Sequence, residues 1–351
     1  MKKRVIVLDY LRGIASLSVA YGHLNSSYNP TGFVTAKFLN YEFSWHLAYI
    51  GVHIFFLISG FVVPIAYKND ITIKKFFIKR IFRLYPSYII ALITTLLVIN
   101  LVAIEPPIIP SAFMANLFFV QDLLGYKTVL PVTWTLLIEW KFYLLVPILC
   151  CSKIKSILTY SICSTFVFSW CLISPDLISY IYKKCNVLGV FLSIINDQSP
   201  WLLVVLLGSV LAKFYLKIWS KKTGFIICIV TIIAVLFAFY RLYLKYFPDH
   251  TTLIHIHSFF WAFIIFNLFY ILRTNITYIP LLKWLGDISY SLYVIHICLG
   301  GHMLIFLLHY IPYYPMFAVF IALCCSLFVS HFMYSLIEVK SMRWAKKLTG
   351  G

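Results

Sequence analysis

The sequence predicts an all-α, polytopic integral membrane protein with about ten transmembrane helices and both termini cytoplasmic. Three observations carry this: the composition, the spacing of the apolar runs and the placement of the basic residues. Of 351 residues, 62% are hydrophobic and 11% charged, against roughly 45–50% and about 25% in soluble domains. Too little polar sequence remains to cover a soluble surface, and disordered, collagen-like, coiled-coil and small disulfide-rich classes are excluded at the same step. A spanning helix needs about 20 mostly apolar residues. Such runs fall at roughly 5–25, 45–67, 80–102, 131–150, 155–173, 200–217, 223–243, 251–272, 284–308 and 314–337. The stretch 111–121 is apolar but too short to span, and reads as re-entrant or interfacial.

A net charge of +18 raises the question of nucleic acid. The basic residues, however, sit in short clusters between apolar runs, no nucleic-acid motif is present, and no nucleic-acid partner is expected. With the N-terminus inside, 21 Lys and Arg fall in inner segments and 6 in outer loops, while Arg12 and Lys141 lie within spans. That asymmetry marks a cytoplasmic face. Nine cysteines are scattered, mostly inside apolar runs and with no CxxC pair, so neither a zinc site nor a disulfide framework is indicated. MKKR followed by an apolar run has the start of a signal peptide. Asp9, Arg12 and the lack of a small-residue cleavage site make it a retained first helix. No repeat or linker divides the chain, which is expected to form a single transmembrane domain over 1–351.

Charged groups at the middle of a spanning helix cost about 2.5–3.5 kcal/mol, so each one needs a reason. In the first run, LDYLRGIASLSVAYGHL, Arg12 and His23 are eleven residues apart. At 100° per residue they lie about 20° from eclipsed, on one face, and about 16 Å apart along the axis. Asp9 with Arg12 as a structural clamp, and His23 as an interfacial histidine, is the plainer alternative. In IKRIFRLYPSY, Arg80 and Arg83 are helix neighbours beside Lys79, with Pro86 expected to kink or reposition the start. Two guanidinium forks suit an anionic ligand arriving from the cytoplasm, while anchoring to lipid head groups would explain them as well. In PVTWTLLIEWKFYLLVP, Glu139 and Lys141 point in different directions, and the carboxylate is expected to face the bundle interior. In WLGDISYSLYVIHI, Ser289, Tyr293 and His296 form one polar stripe that either lines a cavity or packs helix on helix. His250, His255 and His257 have no ligand spacing and read as an outer-surface cluster. His46 and His53 read as packing or cavity-lining, and no metal is expected.

Taken together, the chain resembles the acyltransferase-3 family of membrane O-acyltransferases acting on bacterial surface polysaccharides. The matching segments run in family order: LDYLRGIASLSVAYGHL, GVHIFFLISGFVV, FFIKRIFRLYP, WTLLIEWKFYLLVP, LGDISYSLYVIHI and YSLIEVK. They span residue 8 to about 340, with Arg-x10-His and Arg-x-x-Arg intact. The resemblance implies ten helices with cytoplasmic termini, acyl-CoA (most often acetyl-CoA) as donor and a sugar hydroxyl as acceptor. Arg12 and His23 match the functional pair of the first helix, Arg80 and Arg83 the basic motif, and Glu139 the acidic position after Trp-x-Leu. The sequence departs from the family at His53, where many relatives carry Asp, at Lys141, where many carry Gln, and at Lys340, where Pro is usual. No hydrolase-like extension follows the last run, so the membrane domain is expected to act alone or with a separate partner.

An acetyl thioester is already activated, so the chemistry needs a base for the hydroxyl and stabilisation of an oxyanion. His23 is the candidate general base or transient acyl carrier, and Glu139 is placed with it as catalytic. Glu139 is expected either to orient a histidine, its depth fitting His296 better than His23, or to pair with an arginine. Arg12, Arg80 and Arg83 are the candidate donor-binding residues. Ser289, Tyr293, His296 and Trp134 are the candidate substrate-binding or cavity-lining residues. The expected partners are acyl-CoA, a polysaccharide or lipid-linked glycan and membrane lipids, in the bacterial cytoplasmic (inner) membrane. A ten-helix transporter of an anionic solute is the competing reading, because intramembrane Arg, His and Glu also suit an ion pathway.

Overall fold

A computed structural model describes residues 6–26, 41–67, 72–102, 108–151, 156–173, 175–246 and 252–350. Among these residues the chain is helical, with no strand. The first half comprises α1 (Ile6–Ser26), α2 (Tyr41–Ala66), α3 (Ile73–Val102), α4 (Pro110–Leu117), α5 (Thr133–Cys151), α6 (Ser156–Cys171) and α7 (Pro175–Lys184). The second comprises α8 (Asn186–Tyr215), α9 (Lys221–Tyr246), α10 (Thr252–Ile271), α11 (Pro280–Ile295), α12 (His302–Tyr310), α13 (Pro315–Met333) and α14 (Val339–Thr349). A π-turn at His296–Gly301 joins α11 to α12, and another at Tyr334–Glu338 joins α13 to α14. MKKR and His250 lie outside the described residues.

Among the described residues, eight helical segments are long and apolar enough to cross a membrane, or nine if the bent pair α6–α7 counts as one span. The protein is an all-α, polytopic membrane protein, with fewer fully apolar spans among the described residues than the ten expected. Helix α1 accounts for part of that difference. Its 21 residues carry Asp9, Arg12 and His23, and α2 and α11 pack along it. Val7, Leu11, Ala15 and Val19 are fully buried, so α1 needs no continuous apolar surface. The outer helices show the inverse pattern. Leu144, Phe166, Phe225, Ile233 and Phe328 are exposed, as expected where lipid rather than water surrounds the protein.

Small residues set the closest approaches. A Cβ on Gly13 of α1 would sit 2.7 Å from the backbone nitrogen of Gly286 on α11, and one on Gly60 of α2 would strike the Val205 carbonyl on α8. Backbones meet at these points because no side chain intervenes, the usual means of helix association in lipid.

Two span starts differ from expectation. Helix α3 begins at Ile73 and continues past Pro86 without a break, which places the whole IKRIFR segment in helical register. Helix α8 begins at Asn186 and contains Pro200. Proline is tolerated inside membrane helices where neighbouring groups re-satisfy the carbonyl it leaves free. The short apolar stretch 111–121 is α4 and the turn after it. Asn116 organises this region: its Nδ2 donates to the Ala112 and Lys127 carbonyls, and its Oδ1 accepts from the Val129 backbone. That lattice fixes the start of α5.

Candidate active site

Two cavities lie end to end along α1, α2, α5 and α11. The wider, about 470 Å³, is lined by His23, Trp45, Tyr49, Trp134, Trp201 and His255, with aliphatic side chains between them. The narrower, about 80 Å³, is lined by Arg12, Ser59, Arg80, Arg83, Glu139, Ser289 and Tyr290. Val52 and Tyr293 belong to both walls. The shared face of Arg12 and His23 on α1 explains why one helix serves both cavities, with Arg12 in the basic one and His23 in the aromatic one.

His23 Nδ1 lies 3.0 Å from His296 Nε2, the two rings stacked at 5.2 Å. His296 is fully buried, and its own Nδ1 faces two carbonyls, Tyr293 O at 2.8 Å and Leu292 O at 3.2 Å. Carbonyls only accept, so His296 Nδ1 carries a hydrogen. With that ring neutral its Nε2 is an acceptor, and His23 Nδ1 must be the donor. The Nε2 of a neutral His23 is then left with a bare lone pair, the state a general base requires. The π-turn that starts at His296 is a device common at functional sites.

Glu139 belongs to the other cavity. Its Oε1 accepts from the Tyr143 hydroxyl at 2.5 Å and from the Ser59 hydroxyl at 3.2 Å. Among the described residues no hydrogen bond joins it to either histidine. The partner that orients His23 is His296. Lys141 points the other way, donating to Gln198 Oε1 at 2.7 Å, as the two-residue offset from Glu139 requires.

The two arginines of α3 are not equivalent. The Arg80 guanidinium lies over the rings of Phe76 and Tyr143, at 5.2 and 5.4 Å from their centroids, and its Nε is buried without a hydrogen-bond partner. Arg83 lies 3.8 Å from Glu338, a carboxylate only 1% exposed that also accepts from Ser291 at 3.1 Å. Arg12 sits 4.0 Å from Asp9, which is also 3.8 Å from Lys283.

The Ser289–Tyr293–His296 stripe is brought to the site. Ser289 and Tyr293 line cavities and His296 holds His23. Trp134 lines the aromatic cavity. His255 corrects the surface-cluster expectation, since it forms part of the cavity wall and packs edge-on to Tyr49 at 4.1 Å. Its neighbour His257 stacks with His46 at 6.2 Å. His53 is packing: it is fully buried against Trp201, Phe239 and Phe259. Among the described residues no three His, Cys, Asp or Glu side chains converge as a metal site. Glu338, Ser59, Tyr143, Trp201 and His255 were missed as site residues. Glu338 had a signal, being a carboxylate directly after the last apolar run, within YSLIEVK. The others are ordinary residues that only tertiary packing brings to the cavities.

A provisionally named acetyltransferase of Acidianus two-tailed virus is 23% identical over 293 residues, covering 82% of this chain and 81% of its own. A provisionally named O-acetyltransferase of Staphylococcus aureus (strain COL) is 25% identical over 379 aligned positions, covering 96% of this chain. One provisionally named a peptidoglycan O-acetyltransferase, from Bacillus subtilis, is 31% identical over 159 residues, covering 40% of this chain. The matches span 58% of the Staphylococcus relative's length and 23% of the Bacillus one's. No solved structure matches at a significant level. The sequence model described as an acyltransferase domain matches residues 5–334, nearly all of the helical bundle just described. The chain belongs to the acyltransferase-3 family.

Proposed function

We propose that the chain transfers an acyl group, acetyl in the simplest case, from cytoplasmic acyl-CoA to a sugar hydroxyl of a cell-surface polysaccharide such as lipopolysaccharide O-antigen. It would do so as a multi-pass protein of the bacterial cytoplasmic membrane. The observation that carries this reading is the pair of abutting cavities with complementary chemistry, one basic and narrow, the other aromatic with a histidine held as a free base. The basic cavity is assigned to the cytoplasmic side because the basic start of α3, from Lys74 to Arg83, leads into it. At about 80 Å³ it suits a narrow arm rather than a nucleotide. The CoA phosphates would stay at its mouth with the Arg80 guanidinium, which lines it. Glu139 acts on this donor side, offsetting the charge of Arg83. The aromatic rings and His255 would receive the sugar.

In the transfer step His23 Nε2 takes the proton of the acceptor hydroxyl as that oxygen bonds to the acyl carbon. The carbon–sulfur bond breaks with its electron pair on sulfur, and the proton passes from His23 to the thiolate. Ester and free CoA thiol are the products. His296 supports the charge that builds on His23 by holding its Nδ1–H. Purified protein incubated with acetyl-CoA and glycan from cells lacking it should release CoA only when acceptor is present, and the glycan should gain acetyl signals by NMR. His23→Ala should lose about 10²–10⁴-fold in rate while remaining folded. Retention of more than about a tenth of the wild-type rate in that variant would remove His23 from the central role. A transporter would release no CoA under any of these conditions.

A further inference from the structure

Helices α2, α5 and α11 all pass from one cavity to the other at the same level. On α2 the change falls at Val52 and Phe55, on α5 between Trp134 and Thr135, and on α11 at Tyr293. Side chains from the three helices meet at that level. The Tyr293 hydroxyl lies 2.7 Å from Thr135 Oγ1, and the Tyr293 ring packs edge-on to Phe55 at 5.4 Å. Thr135 Oγ1 also lies 2.8 Å from the Val132 carbonyl, to which it donates. A hydroxyl has one hydrogen, so in the Tyr293–Thr135 pair the tyrosine donates and the threonine accepts. Tyr293 is thereby moored, through the Thr135 hydroxyl, to the Val132 carbonyl just before α5. Both residues are buried, at 8% and 6% exposure. Tyr293 also lies one turn before His296, and its carbonyl accepts from that ring.

We propose that the Tyr293–Thr135 pair is a partition that keeps the donor thioester apart from the aromatic cavity until it opens within each turnover. Its two residues are positioning residues, and the proposal rests on the acyl-transfer reading above. Donor enters among the arginines and the free base of His23 lies beyond the partition, so the thioester meets His23 only when the pair separates. While the pair is closed, water in the wider cavity cannot reach the thioester. Loss of the mooring therefore has a specific consequence. Water takes the acceptor's place, its oxygen bonding to the acyl carbon while the carbon–sulfur bond breaks with its pair on sulfur. One water proton goes to the thiolate, giving CoA, and acetic acid leaves.

The test uses the purified full chain in lipid nanodiscs with acetyl-CoA and no acceptor, following CoA thiol release. Thr135→Val keeps the side-chain volume but gives the Tyr293 hydroxyl no acceptor, and a buried unsatisfied donor favours the open arrangement. Acceptor-independent hydrolysis, compared at saturating acetyl-CoA because Thr135 lines the donor cavity, should rise about tenfold. Thr135→Ser, which restores the acceptor oxygen, should return hydrolysis to the wild-type level. Thermal stability of both variants identifies any that fail to fold. If Thr135→Val unfolds, Tyr293→Phe, which also lacks the mooring bond, replaces it with the same expected direction. Folded, donor-binding variants that hydrolyse acetyl-CoA at the wild-type rate would overturn the partition. Wild-type protein that neither binds acetyl-CoA nor releases CoA with acceptor present would overturn the acyl-transfer reading itself, and the partition with it.

Discussion

Replacing His296 with phenylalanine separates the orienting role of this ring from the proton-transfer role of His23. Phenylalanine fills the buried site but offers no lone pair to the His23 Nδ1–H, now 3.0 Å from His296 Nε2. Without that acceptor the His23 ring is free to turn and to exchange tautomers, so its Nε2 is the bare, correctly aimed nitrogen for only part of the time. One net hydrogen bond is worth about 0.5–1.5 kcal/mol, and about 1.4 kcal/mol corresponds to tenfold in rate. The expected loss in kcat is therefore roughly two- to tenfold. That is well short of the 10²–10⁴-fold expected on removing the base itself. The KM for acetyl-CoA should not move, because the donor is held by the basic cavity. The assay is thiol release with saturating acceptor for both variants, alongside thermal melting to register the Leu292 and Tyr293 carbonyls left without their ring donor. A folded His296→Phe protein as inactive as His23→Ala would show that His296 is the base. A rate equal to wild type would show that the His23–His296 bond orients nothing.

Arg80→Ala should weaken acetyl-CoA binding by about tenfold or more, since charge-assisted contacts are worth roughly twice neutral ones. Acceptor KM should stay constant, and calorimetry with donor alone reads the difference. Glu338→Gln should act mainly on stability, leaving Arg83 in a largely buried site without its counter-charge. Because the Arg83 side chain keeps 28% of its surface, the cost should be about 2 kcal/mol rather than the 3–5 of a fully buried pair. Replacing Arg83 and Glu338 together by methionine should recover most of the lost melting temperature. Gly13→Leu should prevent close packing of α1 on α11, where a Cβ already meets Gly286 at 2.7 Å, and reduce the yield of folded protein in detergent by gel filtration.

Helical periodicity made part of this site legible. The eleven-residue spacing of Arg12 and His23, and the i, i+4, i+7 stripe of Ser289, Tyr293 and His296, each place residues on one face regardless of partners. Those faces do line the cavities or meet across them. The partner of Glu139 was not legible, because depth was counted from each span's own end. Helix α5, which carries Glu139, starts two residues after the apolar run suggests and α11, which carries His296, four before, so the two depths were not counted on one scale. The His23–His296 contact joins residues 273 apart in sequence, and no local pattern predicts it. His255 resembled a surface histidine because His257, two residues on, diverges from it on a helix, and only the packing of α10 on α2 turns His255 inward. Glu338 was within reach, since a lone carboxylate at the end of a spanning run calls for a partner cation. The residue it meets, Arg83, had been assigned to the donor.

The most direct test places donor and acceptor on opposite sides of one membrane. Protein reconstituted in sealed vesicles, with its orientation fixed by protease accessibility of the basic C-terminal helix α14, receives acetyl-labelled acetyl-CoA only on the side where the α3 arginines open. Glycan acceptor is present only on the other side. Label should appear on the far-side glycan, CoA should accumulate on the donor side, and His23→Ala vesicles should do neither. Label that reaches glycan only when both substrates share the arginine side would contradict transfer through the two cavities, and would place acetylation before glycan export.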